Sequence, residues 1–278
     1  MIGQAELKKS FTNNFIKKNK ALPRSIMLVG AKGSGRKTFA NWLMENANLP
    51  LITIGQKADD VRELSELCYK LVEPTYYLIA DVDQMSGAAQ NALLKILEEP
   101  PNNAGFIITA LYGSSILPTI SSRCTKYYMD TYSQAELEEF INLNYNISGD
   151  DKSVILSICT CPGDIELFLT QNIQEFVKYV DRVFNNIAKV SGPNSFKIAN
   201  KINLTDDNTK YDLSLFWRAF SNKCLDVIHS GKYKKDECAK YISACTITNK
   251  YLQDMRIKGL NKQIAFDNWL LDIRKEWI

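Results

Sequence analysis

Three clusters of this 278-residue chain carry residue types that could do chemistry. The first is Gly30-Ala31-Lys32-Gly33-Ser34-Gly35-Arg36-Lys37-Thr38, which follows the apolar run SIMLV and precedes a helical pattern over 38–45. A glycine-rich turn from a strand into a helix aims backbone N–H groups and the helix dipole at phosphate. The second is the acidic pair Asp81 and Asp83, just past a short apolar run, where carboxylates can cap a strand-to-loop turn. The third is Arg123, a cation at the polar tip Ser122-Arg123-Cys124.

The elements needed to position these groups are legible. Residues 76–80 have the length and β-rich make-up of a buried parallel strand. Ser86 stands where a helix N-cap belongs, and 88–99 reads as a helix with Ala89, Leu93, Ile96 and Leu97 at three- and four-residue spacing. Pro100-Pro101 stops it, since proline donates no backbone hydrogen bond. Residues 106–111 read as a second buried strand, and 117–124 leads to the arginine. Strand, helix, strand and polar tip make one α/β unit. Upstream, 4–19 reads as an amphipathic helix, 51–54 as a strand and 58–72 as a helix. The lysines at 8, 9, 17, 18 and 20 read first as a solvated face, with a DNA or partner contact as the minority reading.

The same residues carry a resemblance. Met85, then Asn91-Ala92-Leu93-Leu94-Lys95 and Leu97-Glu98-Glu99-Pro100-Pro101, then Leu117-Pro118-Thr119-Ile120 and Ser122-Arg123-Cys124 resemble the AAA+ sliding-clamp-loader subunits of DNA replication, most nearly the bacterial DNA polymerase III delta-prime subunits. It extends upstream to Ile2-Gly3-Gln4 and, more weakly, to about residue 170. The resemblance implies a fold of three parts. These are an AAA+ α/β domain with a parallel sheet flanked by helices over 1–130, a small all-α lid over 131–190 and an all-α collar-like bundle over 191–278.

It also implies roles, and departures from them. Aligned on Gly30, Gly33 and Gly35, the family's phosphate-binding lysine falls on Arg36 and its magnesium-binding Ser/Thr on Lys37. Arginine's planar fork is a poor substitute for a compact ammonium, and lysine cannot coordinate a cation. An alternative register makes Lys37-Thr38 the functional pair, with one residue too many after Gly30. Two readings stay open, a phosphate-binding loop or an inherited turn that no longer holds Mg-ATP. The family's Asp-Glu pair for metal and attacking water falls on Ala80 and Asp81. Thr109 falls where the family has a polar sensor, and is expected instead to cap its strand. Glu166, after Cys161-Pro162-Gly163-Asp164-Ile165, falls nearest a nucleotide-sensing arginine of the lid, and its charge would repel phosphate. Against these departures Ser122-Arg123-Cys124 is intact, and the family uses that arginine as a finger reaching ATP held by a neighbouring subunit.

The resemblance therefore implies a non-catalytic clamp-loader subunit that hydrolyses no ATP itself and serves a neighbour through Arg123. Its implied partners are other loader subunits in a hetero-oligomeric, pentameric ring, a sliding clamp and primer-template DNA. ATP or ADP held without hydrolysis is compatible with Arg36 and the glycine loop. The competing readings are an active ATPase using Lys37-Thr38 with Asp81, and an adaptor that has left replication.

Composition bounds the rest. Charged residues make up 23% and hydrophobics 45%, as in an ordinary globular protein, and a net charge of +3 does not by itself announce nucleic acid binding. No apolar run approaches the roughly 20 residues that span a bilayer, and MIGQAELKKSF lacks the apolar core of a signal peptide. A cytoplasmic, reduced setting is the expectation. The cysteines at 68, 124, 159, 161, 224, 238 and 245 include no CxxC pair. Delta-prime relatives often carry a four-cysteine zinc module, for which this chain offers only Cys68 in the corresponding interval, so no zinc is expected. The remainder reads as helices over 134–143, opened by a capping box at Ser133-Gln134-Ala135-Glu136, and over 150–159, 173–190, 195–202, 211–230, 234–259 and 262–277. Phe216, Trp217, Phe220, Tyr251, Phe266 and Trp269 read as bundle core or subunit interface, and His229 carries no catalytic role.

Overall fold

A computed structural model describes residues 1–70, 72–111, 116–147, 149–187, 202–203, 211–231, 235–255 and 260–277. The chain divides into two compact units: Met1–Phe140 with Cys161–Gly163, and Ile141–Thr160 with Asp164–Ile278.

The first unit is built on a parallel five-stranded sheet. Its strands are β1 (Ser25–Val29), β2 (Leu51–Ile54), β3 (Thr75–Ile79), β4 (Ala104–Ala110) and β5 (Thr125–Tyr128), in the order β2-β3-β4-β1-β5. Met27 pairs in register with Ile108 of β4 and with Lys126 of β5, which makes β1 an interior strand. The three interior strands β1, β3 and β4 are buried along their whole length, because helices cover both faces. Alternate side chains go to opposite sides. Met27, Tyr77, Ile79, Phe106 and Ile108 pack with Val61 and Leu64 of α3 (Ala58–Lys70) and with Ala89, Leu93 and Ile96 of α4 (Gly87–Glu98). Ile26, Leu28, Tyr76, Leu78 and Ile107 pack with Leu7 and Phe11 of α1 (Ala5–Phe11) and with Phe39 and Leu43 of α2 (Arg36–Ala47). Each buried Val, Leu, Ile, Phe or Met side chain among these contributes about 1.5–3 kcal/mol relative to exposure.

Local chemistry sets the ends of these elements. Ser86 caps α4, its hydroxyl accepting from the Ala89 N–H at 3.2 Å. Ser133 and Glu136 form the expected capping box at the start of α6 (Gln134–Asn144). The amphipathic segment near the N-terminus changes from α1 to a π-helical turn over Thr12–Ile16. Strand β5 has no counterpart in the sequence reading; it is a short edge strand whose TKYY residues are mostly exposed, so it lacks the apolar run that marks the interior strands.

The second unit is mainly helical, with α7 (Asp150–Ile158), most of α8 (Pro162–Leu169), α9 (Ile173–Asn186), α10 (Leu213–His229), α11 (Lys235–Asp254) and α12 (Lys262–Trp277). Two-residue strands β6 (Ile202–Asn203) and β7 (Tyr211–Asp212) pair in parallel, and Asp212 caps α10 by accepting from the Ser214 and Leu215 N–H groups. Tyr211 is therefore strand, and the helix expected to begin there starts two residues later, at Leu213. The helix expected over 195–202 lies outside the described residues apart from Ile202. Helix α10 packs on α7, α9 and α11, so helices on either side of residue 190 share this unit. Phe216, Trp217, Phe220, Phe266 and Trp269 are fully buried in a ring cluster, and the Trp269 indole donates to Thr248 Oγ1 at 3.0 Å. These rings are core, and a stacking platform for bases is not among their roles.

Candidate functional site

The glycine loop leaves the C-terminal end of β1, and α2 begins at Arg36, two residues earlier than the pattern suggested. Gly33 and Gly35 have φ of 82° and 83°, a left-handed backbone in which a Cβ is strained. The loop's carbonyls are turned onto protein donors. Ser34 O accepts from the Tyr132 hydroxyl at 3.0 Å, Gly33 O from the Gly163 N–H at 3.1 Å, and Lys32 O from the Cys161 thiol at 3.3 Å. Gly163 lies so near that a Cβ on it would come within 2.3 Å of Gly33 Cα. Ser34 is buried, with its hydroxyl on the side of Gly30 and Met129.

Arg36 does not face solvent. Only 7% exposed, it pairs with Asp81 Oδ1 at 3.0 Å. Asp81 is itself held in a left-handed conformation (φ 51°) at the exit of β3, where its N–H donates to Thr109 Oγ1 at 2.9 Å. Lys37 and Thr38 are exposed on the first turn of α2. Helix α2, strand β3 and strand β4 thus meet at one ion pair and one hydroxyl. Thr109 does more than cap its strand: fully buried, it bridges to Asp81. Asp83 also differs from expectation. Instead of capping its own turn, it is fully buried and accepts from the Leu111 N–H, past the end of β4, at 3.0 Å. Gln56 reaches the carbonyl of buried Ala80 at 2.8 Å.

Around the loop, the side chains aligned with a magnesium site are mostly occupied or unsuited, and exposed Thr38 is the hydroxyl left on the first turn of α2. The one carboxylate aligned with the family's acidic pair is engaged by Arg36, Ala80 has no ligand atom, and Lys37 cannot bind a cation. Glu166 is exposed on α8. No cluster of three or more metal-ligating side chains occurs among the described residues. None of the described helices is long and apolar enough to cross a membrane.

Arg123 is held on the opposite principle. It follows the short helix α5 (Pro118–Ser121), and α4 fixes that segment at two points. Near the helix start, buried Gln90 accepts from the Leu117 N–H at 3.1 Å; near its end, Glu98 Oε1 accepts from Arg123 Nη2 at 2.6 Å. Arg123 Nη1 donates to Thr119 O at 2.7 Å, and the side chain keeps 34% of its surface in solvent. Cys124 packs against the core, and burial pushes its thiol up to about 11.

A family model described as DNA polymerase III, delta subunit, matches residues 51–133, a stretch containing β2–β5, α3–α5, Asp81 and Arg123. The DNA polymerase III subunit tau/gamma of Haemophilus influenzae is 28% identical over 163 residues, covering 56% of this chain and 22% of the relative. Replication factor C subunit 3 of Schizosaccharomyces pombe is 31% identical over 86 residues, or 29% of this chain and 25% of the relative. Over this stretch the chain is similar to subunits of DNA polymerase III and replication factor C. It spans 22–47% of the length of the first curated relatives it matches. In structure, the chain superposes on the Thermotoga maritima RuvB Holliday junction branch migration motor with a TM-score of 0.51 at 16% identity, covering 87% of this chain and 82% of that one, a likeness of fold.

The sequence motifs located Arg36, Asp81 and Arg123 one by one. It missed Tyr132, Cys161 and Gly163, which close the loop from about 100 residues or more downstream, and it gave Gln90 and Glu98 no role. Only the downstream position of Cys161-Pro162-Gly163 within the resemblance offered a hint.

Proposed function

We propose that this chain is a non-catalytic, delta-prime-like subunit of a replication clamp loader that lends Arg123 to ATP held by a neighbouring subunit. The observation that carries the reading is the contrast between the two arginines. Arg36, at the loop, is buried and bound to Asp81, whereas Arg123 stands partly in solvent with donors to spare. A guanidinium has five N–H groups, and the two contacts of Arg123 leave three for a phosphoryl group. A finger of this kind stabilises charge developing on the transferred group, worth about 10³–10⁵-fold in rate. The neighbours in this reading are other AAA+ loader subunits in a pentameric ring, acting with a sliding clamp and primer-template DNA in the cytoplasm. The helical second unit is the part that would hold the ring.

Two measurements test it. Mg-ATP titrated calorimetrically into the purified chain should give neither binding nor phosphate release. Co-assembled with a gamma-type ATPase subunit from the same source, Arg123→Ala should lower the complex's ATP turnover by about 10³-fold. Turnover by the chain alone that disappears in Lys37→Ala would refute the reading and make this chain a motor. Binding without turnover would make the loop a structural nucleotide site and leave the role of Arg123 in place.

A further inference from the structure

Glu98 lies on the last turn of α4, and its carboxylate meets the Arg123 guanidinium at 2.6 Å. We propose that Glu98 is a positioning residue for Arg123, setting the place from which the guanidinium meets a neighbour's phosphoryl group; this rests on the finger reading above.

Three observations carry it. First, an unrestrained arginine side chain samples many rotamers, but here both terminal nitrogens are fixed, Nη1 by Thr119 O at 2.7 Å and Nη2 by Glu98. A planar fork held at two points has one orientation. Second, the anchor is rigid. Glu98 is on the helix whose Ala89, Leu93, Ile96 and Leu97 are buried in the sheet core. The same helix fixes the segment leading to Arg123 through Gln90 and the Leu117 N–H. Third, the bond is of the wrong kind to be a brake. Both partners are part-exposed, at 34% and 49%, and such an ion pair is weak. It does not withhold the arginine from a phosphoryl group, which the three remaining N–H groups can meet, yet it orients the guanidinium beforehand. Misplacing a reacting group by about 1 Å can cost on the order of 10²-fold in rate.

The test uses the full chain assembled with a gamma-type ATPase subunit, with Mg-ATP as substrate. Glu98→Ala should lower the turnover number of the complex about 10- to 100-fold with KM within about twofold. Glu98→Gln, which keeps an acceptor oxygen, should recover most of that loss. In the double variant with Arg123→Ala, Glu98→Ala should add no further loss, since both act through one group. An unchanged or raised turnover in Glu98→Ala, beside a large loss in Arg123→Ala, would overturn this inference and leave the finger standing. Losses that multiply in the double variant would also overturn it, showing a structural effect separate from Arg123. If Arg123→Ala changed nothing, the finger reading would fail first and this one with it.

Discussion

Removing Arg36 should destabilise the first unit measurably, and the size follows from the site. At 3.0 Å the pair with Asp81 is worth about 5–6 kcal/mol of Coulomb attraction at an effective dielectric of about 20. Burying a guanidinium to 7% exposure opposes that by several kcal/mol. Breaking a fully buried pair costs about 3–5 kcal/mol, but Asp81 keeps 27% of its side chain in solvent and its contact with Thr109. The expected loss for Arg36→Ala is therefore about 2 kcal/mol. A double-mutant cycle with Asp81→Ala should return about 1–2 kcal/mol of coupling. Urea unfolding read by hydrogen exchange in β1 and β4 assigns the loss to this unit. The companion measurement is Mg-ATP. A ligand at 100 times its Kd would add about 2.7 kcal/mol, and the wild type should gain nothing. Coupling below about 0.5 kcal/mol, or clear stabilisation by Mg-ATP, would refute the view that this ion pair fills the site.

Further outcomes follow from contacts elsewhere. Gly163→Ala drives a Cβ to 2.3 Å from Gly33 Cα, backbone against backbone, and should cost about 1–3 kcal/mol with faster hydrogen exchange across 30–35; unchanged exchange would show that the two segments part freely. Asp83→Ala removes the acceptor of the Leu111 N–H and should cost about 1–3 kcal/mol, with Asp83→Asn recovering part in urea melts. Asp272 is held below the usual carboxylate range first by its hydrogen bond from Lys275 and also by the Tyr251 hydroxyl. A lowered folded value means that its contribution is fully present above about pH 4 and is lost as pH falls through that lower value. Asp272→Asn should flatten that acid limb slightly in melts of the second unit.

What the sequence disclosed follows the physics of each signal. Strands β1, β3 and β4 are buried on both faces and so appear as unbroken apolar runs, which are legible without context. Strand β5 is an edge with an exposed TKYY, and its strand character comes only from pairing with β1. Capping is local, so Ser86 and the Ser133–Glu136 box could be read from spacing. The loop's closure is not local. Tyr132, Cys161 and Gly163 reach it only once the chain is folded, and no spacing rule links position 33 to 163. Asp83 illustrates the same limit. Its place beside a turn suggested a cap, yet its acceptor role runs 28 residues along the chain to Leu111.

Two arginines of one chain thus end in opposite states, and burial decides which. Arg36 lies where the backbone of α2 and the end of β3 exclude water, so its charge is tolerable only beside a carboxylate. Releasing it to a nucleotide would leave Asp81 facing phosphate with the same sign of charge. Arg123 is tied by bonds that solvent already weakens, so meeting a phosphoryl group through its remaining N–H groups would strand no buried charge. The first arrangement keeps its charge paired in the interior, and the second keeps part of its surface in solvent. That asymmetry would let a closed loop and an available arginine coexist within a single fold, and it is the reason the proposed function is tested at a neighbouring subunit's site rather than at the loop.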